Sequence, residues 1–97
     1  MITRIVKMTF RKEEISAFQT LFNERKQLIR NVDGCTHLEL WQDKKHPGTF
    51  FTYSIWENEE VLERYRVSPF FADTWQLTKK LFAAKPEAWT VERVNGE

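Results

Sequence analysis

The sequence predicts an α+β domain, a sheet with helices packed on one of its faces. Three observations carry this. Apolar residues recur with a period of two in separate short stretches, as strands require. Between those stretches the period switches to helical spacing. The resulting order, strand, helix, strand, strand, broken helix, strand, leaves every helix free to pack on the same side. The 97 residues suit one domain, 1–97. A chain this short buries only about 60–65% of its unfolded surface, so its core is modest and gains from association.

The first strand is read over residues 2–10, with Ile2, Arg4, Val6, Met8 and Phe10 on one face and Thr3, Ile5, Lys7 and Thr9 on the other. Residues 12–32 turn helical: Ile15, Phe18, Leu21, Phe22, Leu28, Ile29 and Val32 share a stripe, and Glu13 and Glu14 complement the dipole in the first turn. "NVDG" ends this helix, with Gly34 free to adopt a left-handed conformation. In "CTHLELWQD" the alternation returns, Leu38 and Leu40 facing one way and His37, Glu39 and Trp41 the other. Pro47 and Gly48 mark a turn in "KKHPG". "TFFTYSIWE" is a third strand, apolar on both faces, so both faces call for a cover. Asn58 caps a helix carrying Val61, Leu62 and Tyr65. Ser68 followed by Pro69 restarts it, cap then first-turn proline, with Phe71, Trp75, Thr78, Leu81 and Phe82 on the new segment. Pro86 stops that segment, and "AWTVERV" forms the last strand.

Composition excludes some function classes. Fifteen basic residues balance 14 acidic ones, which argues against nucleic acid, whose phosphates need a concentrated basic surface. The third strand has an aromatic pattern superficially like that of RNA-binding sheets, but "TRIVKMTF" places no stacking aromatic in its middle. The single cysteine, Cys35, allows no intrachain disulfide and suits a reducing cytoplasm. "MITRIVKMTF" has no long apolar run, so neither a signal peptide nor a membrane span is expected. With two histidines and one cysteine, no spacing resembles a metal-ligand set, and no metal is expected. His37 and Glu39 are read as an interfacial or surface pair. Cys35 shares the parity of His37, so a thiol–imidazole pair is conceivable there; the plainer reading is a small, partly buried hydrophobe. On the sheet face away from the helices, Ile5, Trp41, Phe51, Tyr53 and Ile55 form an apolar patch. A second copy, packed sheet to sheet, is the simplest cover, so a homodimer is expected.

The densest aromatic stretch is "SIWENEEVLERYRVSPFFADTW", residues 54–75. A plain aromatic core would use the same residue types. A helix broken at Ser68-Pro69, however, cannot lie flat on a sheet. It leaves a wedge rimmed by Trp56, Tyr65, Phe71 and Trp75, a shape suited to a flat organic ligand.

These residues also carry a resemblance. "FFTYSIWENEEVLERYRVSPFFADTW", preceded by "DGCTHLELWQD", resembles the antibiotic biosynthesis monooxygenase domain, and the likeness runs from "VKMTF" to "PEAWTVERV". Its most telling element is a Trp ending the third strand, an acidic helix start, then Ser68, Pro69 and Phe71. The resemblance implies a ferredoxin-like antiparallel sheet, a homodimer whose sheets form an α+β barrel, and a pocket between sheet and helices that includes Trp56. It also implies one of several chemistries, among them cofactor-free oxidation of phenols or hydroquinones and haem degradation. Where many members carry a His three residues before the Ser, this chain has Tyr65. Near the position where the haem-degrading branch carries its iron-ligating His stands Trp75, which cannot ligate iron.

The expected function is a cofactor-independent monooxygenase-like oxidation of a small aromatic, of phenol or hydroquinone type, with no cofactor. In that reading Trp56 packs on the ring and Tyr65 is the catalytic candidate. Tyr65 would hydrogen-bond the substrate oxygen, and assist proton transfer only where burial and neighbours allow. Thr52 and Ser54 add donors, Val6 and Met8 floor the pocket, and Phe71 and Trp75 complete the substrate-binding set. The alternative is a non-catalytic dimer of the same fold, either binding a hydrophobic small molecule or purely structural. A cavity above about 300 Å3 favours a ligand of either kind.

Overall fold

The computed structural model describes residues 1–96. Alternation becomes strand β1, Ile2–Thr9, and the helical stripe becomes α1, Ile15–Arg30, entered through a 3-10 turn at Lys12–Glu14. Then come β2, Cys35–Gln42, and β3, Thr49–Trp56. Two short helices follow, α2 at Glu59–Arg66 and α3 at Pro69–Lys79, and β4, Glu87–Val91, ends the fold. The four strands form one antiparallel sheet in the order β2-β3-β1-β4. Several ends differ from the sequence reading, among them that of α1, which stops at Arg30 rather than Val32. Phe10 leaves β1 as an isolated bridge to Phe82, α3 stops short of Leu81 and Phe82, and β4 ends at Val91 rather than Val94.

Local chemistry fixes the connections. Gly34 has φ +93°, and a Cβ there would lie 2.6 Å from Cγ2 of Val61, so glycine is needed both for its backbone and for the approach of α2. Asn58 accepts the Val61 N–H at 3.0 Å through Oδ1 and caps α2. Ser68 does two jobs: its Oγ accepts the Phe71 N–H at 3.2 Å, capping α3, and donates to the Tyr65 carbonyl at 2.6 Å, tying off α2. The break between the helices is therefore a built corner. Arg11 donates to the carbonyls of Lys80 and Phe82 and holds the far end of α3.

A bulge between Cys35 and His37 separates two residues that strict alternation puts on one face. Cys35 pairs with Trp56 and is buried with it, whereas His37 pairs with Ile55 on the opposite face. The thiol–imidazole pair is thereby ruled out. Cys35 donates to the His37 carbonyl at 3.6 Å, and burial pushes its thiol up, so it stays protonated at neutral pH.

The layer between sheet and helices is packed at its two ends. One cluster gathers Met8, Phe10, Phe18 and Phe50, with Phe10 stacked on Phe18 at 4.0 Å. The other gathers Ile2, Cys35, Trp56, Val61 and Leu62. On the opposite face, register aligns His37, Glu39 and Trp41 of β2 with Phe51, Tyr53 and Ile55 of β3, Ile5 of β1, and Trp89 and Val91 of β4. Trp41 stacks on Tyr53 at 4.8 Å. Glu39 accepts from His37 and, at 2.7 Å, from the Trp41 indole, and these bonds hold its carboxyl below the usual range. Trp41, Trp89 and Val91 are exposed on this face.

Candidate functional site

Between the two clusters lies a cavity of about 320 Å3. Its lining draws on both of them, Met8 and Phe18 from one and Trp56 and Leu62 from the other. The corner at Ser68 divides the helical cover: α2 packs Val61 and Leu62 into one cluster, and α3, restarted beyond the corner, lines the space with Phe71 and Trp75. Arg25 of α1 bridges to α3, donating to Asp73 and to Thr74 Oγ1, both at 2.8 Å, and ties the two helices together.

One wall is a continuous aromatic chain. Trp56 stacks on Tyr65 with centroids 5.0 Å apart. Tyr65 meets Phe71 edge-on at 5.1 Å. Phe71 stacks on Trp75 at 5.9 Å, and Trp75 is backed, outside the lining, by Phe82, which it meets edge-on at 5.6 Å. Such pairs hold one another's orientation beyond simple burial. The sheet contributes Val6, Met8 and Thr52, all on its helix-facing side.

All eight residues singled out from the sequence, Val6, Met8, Thr52, Ser54, Trp56, Tyr65, Phe71 and Trp75, line this cavity. Two of them differ from the reading in what they offer. Ser54 is buried, and its hydroxyl accepts the Trp56 indole N–H at 2.9 Å while lying 3.5 Å from the Arg4 carbonyl. It holds Trp56 in place and has no free donor for a ligand. Trp56 is 1% exposed, so its ring supports Tyr65 from behind and presents almost no surface of its own. The Tyr65 hydroxyl and the Thr52 hydroxyl have no hydrogen-bond partner among the described residues, and Tyr65 is only partly buried. Burial, with a smaller effect of Cys35, pushes the Tyr65 phenol well above its usual value. It is a neutral donor throughout the ordinary pH range and not a base, so the proviso attached to proton transfer is not met.

Sequence reasoning missed Arg4, Arg66 and Thr74, which also line the cavity. A signal was present for Arg4: it shares parity with Val6 and Met8, and a charged residue on the inward face of a strand is unusual. It missed Phe22 and Ile29 as lining as well, although both belong to the stripe of α1. Neither histidine reaches the cavity. His37 is on the opposite sheet face beside Glu39, and His46 is in the β2–β3 turn. Among the described residues there is no group of three His, Cys, Asp or Glu side chains placed to hold a metal, and no helix is long and apolar enough to cross a membrane.

The lining therefore does not fit a haem held by an axial histidine. Titration with haem is expected to give no stoichiometric Soret shift. A saturable one-to-one complex abolished by His37→Ala would contradict this placement of the site.

Solved structures share this architecture. One, described as an antibiotic biosynthesis monooxygenase, matches 98% of this chain and 100% of its own at a TM-score of 0.90 and 20% identity. The protein Rv0793 of Mycobacterium tuberculosis matches 98% of this chain and 96% of its own at 0.88 and 17% identity. A variant of SnoaB, a cofactor-independent oxygenase from Streptomyces nogalater, matches 98% and 94% at 0.87 and 13% identity. At such identities the likeness is one of fold. Among curated proteins none matches. The sequence profile of the antibiotic biosynthesis monooxygenase family matches residues 1–76, from β1 through most of α3 and including the corner that opens the cavity, and the chain belongs to that family.

Proposed function

We propose that this chain, one domain over residues 1–97, is a cofactor-independent monooxygenase-like protein that oxidises a small aromatic of phenol or hydroquinone type between sheet and helices. The observation that carries the reading is the cavity of about 320 Å3 with its aromatic wall; the family and the fold shared with SnoaB support the reaction class. An electron-rich phenolate or carbanion reacts with O2 itself. One oxygen atom ends as a ring carbonyl and the other as water, and the hydrogens of that water come from the substrate, so no external reductant is required. The protein's part is to orient the ring, exclude water and stabilise the developing oxyanion. Phe71 and Trp75 hold the ring, Val6 and Met8 floor it, and Tyr65 and Thr52 donate to its oxygen. Trp56, fixed by Ser54, backs Tyr65. Deprotonation falls to solvent or to the substrate's own acidity, because Tyr65 is not a base.

Oxygen uptake on a panel of hydroquinones and naphthols tests this. Turnover that survives EDTA is expected. A folded protein with no turnover, and no gain in melting temperature from any member of the panel, would move the reading to a non-catalytic protein of the same fold.

The reading includes a homodimer, acting in the cytoplasm. The apolar outer face, with Trp41 stacked on Tyr53 and with Trp89 and Val91 exposed, motivates it. Loss of a large interfacial aromatic costs about 2 kcal/mol or more, and a buried carboxylate adds to that. Trp41→Glu is therefore expected to give monomer or aggregate. A monomeric wild type by light scattering at micromolar concentration would refute the dimer.

A further inference from the structure

The aromatic wall explains how a flat ring is held, but it does not explain two arginines in the lining of a largely apolar cavity. Arg4 stands near the start of β1, an interior strand, on the inward face with Val6 and Met8. Its register neighbours are Ser54 on β3 and Thr90 on β4. One guanidinium nitrogen donates to Thr90 Oγ1 at 2.8 Å. No carboxylate lies within ion-pair distance of Arg4 among the described residues. A guanidinium has five N–H donors in a fixed fork, so most of this one's capacity is unspent. Arg66, at the end of α2, lines the same cavity and is braced by Glu63 at 3.3 Å. Burial first, and then the charge of Arg66, hold Arg4 below its ordinary pKa, with Glu63 pulling the other way. Two like charges thus meet at the rim of an apolar space. Glu87 also reaches the lining, but its register partner is Lys7, on the opposite face of the sheet.

We infer that the ligand of this cavity carries, besides the ring oxygen that faces Tyr65 and Thr52, a second and anionic oxygen group, a carboxylate or phenolate, which docks between Arg4 and Arg66 while its ring lies against Tyr65, Phe71 and Trp75. The inference rests on the reading of the cavity as an aromatic-ligand site and names the charge its ligand bears. An anion there answers both the unspent donors of Arg4 and the repulsion between the two guanidinium groups. The arrangement also orders the ligand: the charged end faces the exposed Arg66 at the mouth and the apolar end points inward, towards Met8 and Phe18.

The test is calorimetric titration with 2-naphthoate and with its neutral counterpart 2-naphthalenemethanol, on the wild type, Arg4→Gln and Arg66→Gln. Naphthoate is expected to bind the wild type at least about tenfold more tightly than the alcohol. Each glutamine variant is expected to lose about 10- to 100-fold in naphthoate affinity, the range for a charge-assisted hydrogen bond, and to leave alcohol binding unchanged. Arg66 is exposed, so Arg66→Gln keeps the test open even where Arg4→Gln does not fold. Equal affinities in the wild type, or variants that weaken both ligands alike, would overturn the anion site while leaving the cavity a ligand site; Arg4 would then be an arginine extending to solvent past β4. Binding of neither probe at millimolar concentration would remove the ligand-site reading and the anion site with it.

Discussion

Trp56→Ala is expected to lower the melting temperature by at least about 12 °C. The indole is 1% exposed, joins Ile2, Cys35, Val61 and Leu62, and backs Tyr65 at 5.0 Å. Removing a buried Trp costs about 3–5 kcal/mol through lost transfer energy and the hole left behind. Each kcal/mol moves the midpoint of a domain this size by about 4–8 °C. Total stability is typically about 5–15 kcal/mol, so the variant would stand near the limit of folding. The same change strands the Ser54 hydroxyl, which loses its indole donor. A thermal melt within about 4 °C of wild type would show that Trp56 is not the pillar described, and that its environment is looser than the burial implies.

Tyr65→Phe is expected to do the opposite, leaving stability nearly intact and slowing turnover about 10- to 1,000-fold, the range for losing one donor to a developing oxyanion. The hydroxyl has no partner among the described residues, so its removal breaks no hydrogen bond within the protein. The ring contacts with Trp56 and Phe71 remain. The pH dependence separates a donor from a base. Burial holds the phenol above its usual value of about 10, so the neutral form persists through neutral and mildly alkaline pH. The rate profile should therefore contain no limb from Tyr65 below about pH 10. The raised value also bears on stability. The phenolate is disfavoured in the fold, so this contribution is fully present below the unfolded value and is lost as pH rises above it. An unchanged rate in Tyr65→Phe would eliminate Tyr65 from the chemistry.

The order of elements was legible because the strands alternate cleanly and the caps are chemically explicit. Asn58, Ser68 and Gly34 each make the local interaction that their residue type promises. What the pattern hid was anything that depends on a single inserted residue or on volume. The bulge at Thr36 turns His37 away from Cys35, and no feature of "CTHLEL" announces it. Alternation says that Val6, Met8 and Thr52 face the helices, but not that side chains gather at the two ends of the layer and leave its middle open. Likewise Ser54 reads as a free hydroxyl until the Trp56 indole is found 2.9 Å away. Arg4 was visible as an inward-facing charge; its proximity to Arg66 depends on how α2 ends, which the sequence does not specify.

An aromatic substrate is expected to sit in the space between Tyr65, Phe71, Trp75 and the sheet. The most direct measurement is a crystal structure of the protein with a naphthol or hydroquinone that it turns over or binds. Density for the ring is predicted in the cavity, its face against Phe71 or Trp75 and its oxygen within hydrogen-bond distance of the Tyr65 or Thr52 hydroxyl. Density on the outer sheet face near Trp41 and Tyr53, with the cavity closed by side chains that have moved to fill it, would contradict the account.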